Sequence, residues 1–219
     1  NPPFGRSLLN PPFPEYLPWS VPGSGAPGSD PAILLEHMDG AGIGQALLAP
    51  VTKGALPDPR AAAQIAAAYN RWLAERWLDD AAGRFLGSIR VSARDTRSAV
   101  AEIERWAGDE RFVQVSVSLE ALAPYGQEQY FPIWAAAAAA DLPVMIVSER
   151  ARGMGFPMTP LGEPRTFLEA ATQLPFGDVA HLTSMVAEGV FDRLPGLALV
   201  LADGNFGTAV AIMWRVTND

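Results

Sequence analysis

The spacing of apolar residues along the chain alternates between two periods. Five short runs rich in Val, Ile, Leu and Phe predict buried strands: QALLAP (45–50), FLGSIRVS (85–92), FVQVSVS (112–118), PVMIVS (143–148) and LALVLAD (197–203). Helical spacing between them predicts helices over 31–40, 59–79, 96–107, 130–140 and 179–194, and a last apolar segment follows at 208–216. Strands that alternate with helices in this way indicate parallel βαβ crossovers, and hence an α/β sheet with both faces covered.

Two architectures fit this alternation. One is an open, doubly wound sheet, and the other is part of a (β/α)₈ barrel of the TIM type. A complete barrel needs eight strands and typically about 250 residues. A barrel built from this chain would therefore be incomplete, with about five βα units.

The segment 1–28 differs from the rest of the chain. It is rich in proline and glycine, shows no periodicity, and carries the aromatic residues Phe4, Phe13, Tyr16 and Trp19. These features predict an extended loop anchored by its aromatic side chains, followed by one barrel-type domain over 29–219. The chain begins with Asn1 rather than Met, so we expect either a processed protein or a fragment.

Composition excludes several classes of function. The formal net charge is −8 and no Lys or Arg cluster is present, which argues against a nucleic-acid partner. The chain has no cysteine, so disulfides, thiolate nucleophiles and Cys-ligated metals are excluded. The longest apolar run, near 133–140, is about half of the ~20 residues that a membrane span needs. We therefore expect a cytoplasmic protein without a membrane partner.

Candidate site residues lie where the predicted strands end, because both architectures bind ligands beyond the carboxyl ends of their strands. Asp203 ends a buried apolar strand and needs a partner, for which Arg90 and a divalent metal are the two candidates. Arg90 interrupts an apolar strand and suits recognition of a substrate carboxylate. Further polar residues for substrate binding are Ser148, His181 and Asn205.

Two common site motifs are missing from the sequence. The glycine-rich segment GAGIG (40–44) precedes a predicted strand, whereas a dinucleotide-binding loop follows one. The chain also lacks a Gly-x-Ser-x-Gly nucleophile elbow, which excludes the α/β-hydrolase class.

Several segments in their order resemble one enzyme family. They are GSDPAILLEHMDGAGIGQALLAP, AAAYNRWLAERWLDDAAGRFLGSIRVS, AEIERWAGDERFVQVSVS, APYGQEQYFPIWAAAAAADLPVMI and HLTSMVAEGVFDRLPGLALVLADGNFGTAVAIMWRV. Together they resemble, over about 28–216, the amidohydrolase-related family of metal-dependent barrel enzymes, which includes aminocarboxymuconate-semialdehyde decarboxylase and γ-resorcylate decarboxylase. The resemblance implies eight βα units and a divalent metal, Zn or Mn, at the strand ends. It places the first strand before Asn1 and a late Asp beyond Asp219.

The resemblance also assigns individual positions. The family pattern LPVxIH places a metal-binding His where LPVMIVSER has Val147, which cannot coordinate a metal. The family's His or Glu in LVLADGNFG is replaced by Asp203, which could ligate a metal or serve as a base. His181 matches a position that lines the site, and it is a second candidate metal ligand.

Two functions follow as expectations. The first is a metal-dependent hydrolase or non-oxidative decarboxylase acting on a small carboxylate or amide substrate, with Asp203 and Arg90 as catalytic residues. The alternative is a metal-free family member that acts as a small-molecule binder or partner subunit, and Val147 is its basis. Barrels of this kind associate through outer helices, so we also expect a homo-oligomer with contacts from Trp72, Trp77 and Trp106.

Overall fold

Parallel strands in sequential order form the sheet. The computed structural model describes residues 30–50, 56–79, 83–148, 172–173, 175–202 and 206–218. Within them the strands are β1 (Ala46–Leu48), β2 (Phe85–Arg90), β3 (Phe112–Ser118), β4 (Val144–Val147) and β5 (Leu199–Leu201). Each strand pairs in parallel with the next, in the order β1-β2-β3-β4-β5. All five predicted strands are confirmed, and four of them are shorter than predicted.

This strand order decides between the two architectures. A doubly wound sheet reverses its order at a switch point, whereas consecutive strands of a barrel are always neighbours. The sheet has no reversal among the described strands, and it curls into a half-barrel with flanking helices. The incomplete (β/α)₈ barrel is therefore confirmed.

Helices connect the strands. They are α1 (Pro31–Ala41), α2 (Pro59–Leu73), α3 (Thr96–Trp106), α4 (Phe131–Ala139), α5 (Pro175–Ala187), α6 (Val190–Arg193) and α7 (Phe206–Asn218). A π-helix, Ala74–Leu78, extends α2, and a 3₁₀ turn, Glu128–Tyr130, precedes α4. The helix predicted over 179–194 begins earlier and is two helices, because Gly189 between them is left-handed at φ 68°. None of the helices described here is long and apolar enough to cross a membrane.

The two faces of the central strands differ in chemistry. One face packs against the helices and builds the apolar core, with Phe85, Ile89, Val115, Val117, Val144 and Ile146. Because side chains alternate along a strand, the intervening residues point to the opposite face, which is the inside of the curled sheet. That inner face is polar and buried, with Ser88, Arg90, Gln114, Ser116 and Ser118 at most 4% exposed. Its upper end, at the carboxyl ends of the strands, carries the candidate site.

Candidate functional site

Arg90 is the last residue of β2 and points into the buried inner face of the sheet. It is fully buried, and its Nη1 donates a hydrogen bond to Ser116 Oγ on β3 at 3.3 Å. Burial lowers the pKa of Arg90 to about 10, an effect that the nearby Tyr125 and Glu120 oppose. Arg90 therefore still carries a positive charge at neutral pH.

Glu120 is a candidate site residue that the sequence analysis did not single out. It follows β3 and accepts hydrogen bonds from Ser118 Oγ to Oε2 at 2.7 Å and from Ser148 Oγ to Oε1 at 3.0 Å. Its own N–H donates to Ser118 Oγ at 3.2 Å. Because Ser118 ends β3 and Ser148 follows β4, one carboxylate joins the ends of two neighbouring strands. The only sequence signal was its place two residues beyond a buried strand.

Ser148, predicted to bind substrate, belongs to this same cluster. Its hydroxyl donates to Glu120, and its side chain is half-buried. The structure thus brings Glu120 and Ser148 together at the edge of the sheet where Arg90 ends β2. We call these three residues, with Ser118, the carboxyl-edge cluster.

His181 lies on α5 and is engaged at both ring nitrogens. Its Nδ1 accepts the N–H of Tyr125 at 3.2 Å, and its Nε2 donates to the carbonyl of Leu119 at 2.8 Å. The ring stacks on Tyr125 with centroids 4.1 Å apart. Burial lowers the pKa of His181, so the neutral ring is favoured. With both nitrogens hydrogen-bonded to the main chain, this geometry leaves no lone pair for a metal ion.

The segment that follows β3 is tightly attached to α5. Tyr125 is fully buried and donates its phenolic hydrogen to the carbonyl of Ser118, and burial raises its pKa. Gly126 donates its N–H to Ser184 Oγ at 3.0 Å. A Cβ on Gly126 would lie 2.1 Å from the main-chain oxygen of Ser184, so only glycine fits there. Tyr125 and His181 thus bind the carbonyls of Ser118 and Leu119, the two residues that precede Glu120.

The described residues do not fit the metal centre that the family resemblance implies. Val147, at the end of β4, is a hydrocarbon side chain opposite Ser118 in the sheet register. The oxygens of Glu120 accept hydrogen bonds from serines, and both nitrogens of His181 are engaged. In the part of the chain that the structure describes, no group of three His, Asp or Glu side chains could hold a metal ion. Asp203 and Asn205, two further predicted site residues, lie outside the described residues.

Comparison with known proteins identifies the class. The family model for amidohydrolases matches residues 22–218, and the chain belongs to this family. The resemblance seen in the sequence is thus confirmed. A search of curated proteins finds no match.

Solved structures with the same fold include hydrolases and decarboxylases. The chain is 28% identical to 2,6-dihydroxybenzoate decarboxylase from Rhizobium (TM-score 0.62), with 84% of this chain and 58% of that one covered. It is 25% identical to a dihydroxybenzoic acid decarboxylase from Polaromonas sp. JS666 with bound manganese and 2-nitroresorcinol (TM-score 0.59; 84% and 57% covered). An amidohydrolase from Mycobacterium avium subsp. paratuberculosis K-10 shares the fold at 23% identity (TM-score 0.67; 87% and 52% covered). The chain thus spans a little over half the length of these proteins.

Proposed function

We propose that this chain forms part of a hydrolase or non-oxidative decarboxylase that acts on a small carboxylate or amide substrate. The observation that carries the proposal is the carboxyl-edge cluster, which places charged and hydroxyl groups of three consecutive strands at the edge where barrel enzymes bind substrate. Membership of the amidohydrolase family and the presence of decarboxylases among the similar structures support it.

The proposed roles follow from the chemistry of each side chain. Arg90 is fully buried, so its guanidinium is not exposed to solvent. Its positive charge would attract a substrate carboxylate through the electrostatic field that it produces in the site. Ser148 and Asn205 would hydrogen-bond the substrate, and Asp203 would act either as the base or as a metal ligand. His181 is proposed to line the site by holding the segment after β3, since its nitrogens are bound to the main chain.

A metal is a separate part of the proposal. The Polaromonas relative holds manganese, and the family resemblance implies Zn or Mn here. The described residues do not supply such a centre, so Asp203 is the residue of this chain that we propose as a metal contact. Its carboxylate oxygens are suitable ligands for either ion.

Turnover of two substrate classes tests the proposal. The purified full-length protein is incubated with 2,6-dihydroxybenzoate, and separately with a panel of aryl amides, with and without added Mn²⁺, and products are measured by chromatography. We expect turnover of one class and a loss of about 100-fold or more in Asp203→Ala, the usual size of a general-base effect. Asp192→Ala, at an exposed position, is the matched control. Absence of turnover in both classes would refute the enzyme assignment.

Val147 favours a second candidate, a metal-free family member that binds a small molecule or a partner subunit. Under this alternative, thermal unfolding of the wild-type protein does not respond to Mn²⁺ or Zn²⁺, whereas Val147→His gains a metal-dependent rise in Tm. Val186→His, on the exposed side of α5, controls for adventitious binding by a new imidazole. A clear rise in the wild type would exclude the metal-free alternative.

Three further assignments remain proposals. The first is the division of the chain into a loop segment over 1–28 and a domain over 29–219. The second is the cytoplasmic location. The third is a homo-oligomer formed through the outer helices, for which Trp72 is 49% exposed and available, whereas Trp77 is only 8% exposed and belongs to the core.

A further inference from the structure

A chain of hydrogen bonds leads from an outer helix to the main chain of Arg90. Glu102, on α3, accepts with Oε1 the indole N–H of Trp106 at 2.6 Å and an Nδ2 hydrogen of Asn70 at 3.0 Å. Asn70, on α2, also donates from Nδ2 to the carbonyl of Arg90 at 2.8 Å and accepts the N–H of Arg90 at 2.7 Å. The carboxylate of Glu102 is thus connected to the end of β2 through a single side chain.

Glu102 binds the second Nδ2 hydrogen of Asn70. A carboxamide has two N–H hydrogens, and the pairing with the carbonyl of Arg90 uses one of them. Asn70 is 0% exposed, so without Glu102 its other hydrogen would be buried without the acceptor that it has here. A buried donor in that state favours rotation of the side chain towards another partner. The carboxylate therefore fixes the plane of the carboxamide.

The orientation of this carboxamide matters because of where β2 ends. On the β3 side, the main chain is held by the sheet, in which Arg90 lies opposite Ser116. On the other side, β1 ends at Leu48, opposite Gly87. There Asn70 binds both main-chain groups of Arg90. A rotation of the main chain at this point moves the guanidinium, because the guanidinium lies at the end of a long side chain.

The strength of the site depends on where this guanidinium lies. Arg90 is fully buried, so its charge acts on a ligand through a Coulomb interaction rather than through a solvent-exposed contact. This interaction weakens with distance and is stronger in buried surroundings than in water. The main chain from which the side chain of Arg90 extends therefore contributes to the affinity for a ligand carboxylate.

We propose that Glu102 is a positioning residue for Arg90. By holding the carboxamide of Asn70, it fixes the main chain at the end of β2 and with it the place of the guanidinium that attracts a ligand carboxylate. The inference rests on the proposed function for the role of Arg90. It adds that an outer helix takes part in substrate recognition, and that Glu102 does so only through Asn70.

Amide hydrogen exchange followed by NMR at pH 7 tests the positioning in the full-length protein. Glu102→Ala removes the acceptor of Asn70, so the N–H of Arg90 should exchange about tenfold faster. The N–H of Gly87, on the same strand, donates to the carbonyl of Arg111 at 2.8 Å and should change less. A role in overall stability alone would accelerate both N–H groups equally, because global unfolding exposes them together.

Two probes that differ by one carboxylate test the effect on recognition. Isothermal titration calorimetry gives Kd for 2,6-dihydroxybenzoate and for resorcinol. Glu102→Ala should raise the Kd of 2,6-dihydroxybenzoate about threefold or more, since moving a buried charge by about 1 Å changes its Coulomb energy with a ligand by that much. The Kd of resorcinol should change little, because resorcinol has no carboxylate.

Control variants separate the hydrogen bond from the packing of α3. Glu102→Gln keeps an acceptor and should restore most of the wild-type exchange and Kd. Trp106→Phe keeps the bond between Glu102 and Asn70, and Glu104→Ala changes the exposed side of α3, so both should behave as the wild type. If Glu102→Ala fails to fold, Glu102→Leu replaces it, because leucine is also a strong helix former and lacks an acceptor.

The outcomes are distinct. Unchanged exchange at Arg90, equal acceleration at Arg90 and Gly87, or no rescue by Glu102→Gln overturns the inference. So does an unchanged Kd for 2,6-dihydroxybenzoate, an equal rise for resorcinol, or failure of the wild type to bind 2,6-dihydroxybenzoate. Folding of Glu102→Gln alone among the Glu102 variants would also overturn it. Turnover in the assay described above would leave the proposed function standing in each of these cases, so the two failures are distinguishable.

Discussion

Asn70 of α2 completes the edge of β2 at Arg90. Its Oδ1 accepts the main-chain N–H of Arg90 at 2.7 Å, and its Nδ2 donates to the carbonyl of Arg90 at 2.8 Å. These main-chain groups face the β1 side, where β1 has already ended at Leu48, opposite Gly87. The carboxamide thus takes the place of a strand and satisfies buried main-chain groups that would otherwise lack a partner there.

Replacing Asn70 should therefore destabilise the fold. Asn70→Ala leaves two buried main-chain groups without these hydrogen bonds, which costs about 2–4 kcal/mol of the free energy of unfolding. Urea unfolding measures this loss. Gln45→Ala removes a long, exposed hydrogen bond to Gly83 (3.4 Å) and should cost little. A cost below about 1 kcal/mol for Asn70→Ala would show that the pairing contributes little, since that is the net value of a single ordinary hydrogen bond.

Gly126 gives a steric prediction. A Cβ there would lie 2.1 Å from the oxygen and 2.3 Å from the carbonyl carbon of Ser184, both main-chain atoms that cannot rotate away. Gly126→Ala should lower stability by about 3 kcal/mol, at the upper end for overpacking. Gly108→Ala is the matched control, because nothing lies within 4 Å of its added Cβ. Equal Tm values for the two variants would contradict the close approach of the segment around Gly126 to α5.

His181 should make stability depend on pH. Burial lowers its pKa below the ordinary value of 6.5, so at mildly acidic pH the unfolded chain binds a proton that the folded protein does not. The stabilisation is complete above pH 6.5 and decreases as the pH falls below it. Chemical unfolding at pH 7.5 and 5.5 should show this decrease in wild type and in His37→Gln, whose position is exposed, but less of it in His181→Gln. If the free energy of unfolding changed equally with pH in all three proteins, the assigned role of His181 would be contradicted.

Asp95 is the N-cap of α3. Its Oδ1 accepts the N–H of Ser98 at 3.0 Å and its Oδ2 accepts the hydroxyl of Ser98 at 2.7 Å, and these bonds lower the pKa of Asp95. Asp95→Ala should cost about 1 kcal/mol. Folding lowers the pKa of Asp95, so part of the stabilisation by this cap depends on the charge of its carboxylate. That part is fully present above the ordinary pKa of 3.8 and is lost as the pH falls through the pKa of Asp95 in the folded protein. Asp95→Asn keeps an acceptor, and it should lose stability less than Asp95→Ala and lack that acid-dependent part.

The sequence predicted the sheet well because buried parallel strands leave a local signal. Each strand is a short apolar run between helical segments, and β3 was predicted at its full extent, Phe112–Ser118. The ends of the strands were predicted less accurately. The run 45–50 predicted a strand of six residues, whereas β1 has three. The pairing partners decide where a ladder stops, and they are distant in sequence. The strand order likewise required the structure.

The candidate site was predicted less completely. Arg90 and Ser148 stand at strand ends as expected, because the end of a buried run can be found in the sequence. Glu120 was missed because its significance comes from two serines, one of them 28 residues away along the chain. The hydrogen bonds of His181 to Leu119 and Tyr125, which are 62 and 56 residues away along the chain, could not be predicted from the sequence either. Contacts across such separations are set by the packing of α5 rather than by any local pattern.

The sequential strand order has a consequence for how the chain folds. Among the described strands, each one after β1 pairs with the strand that precedes it along the chain. The connections up to β4 each contain one described α-helix, α2, α3 or α4, and the connection from β4 to β5 contains α5 and α6. A ribosome that releases this chain from its N-terminus therefore delivers each strand after the edge it must join is already present. We expect the sheet to grow by stepwise addition during synthesis, with β2 and β3 as the first pair able to bury an apolar face against α2 and α3.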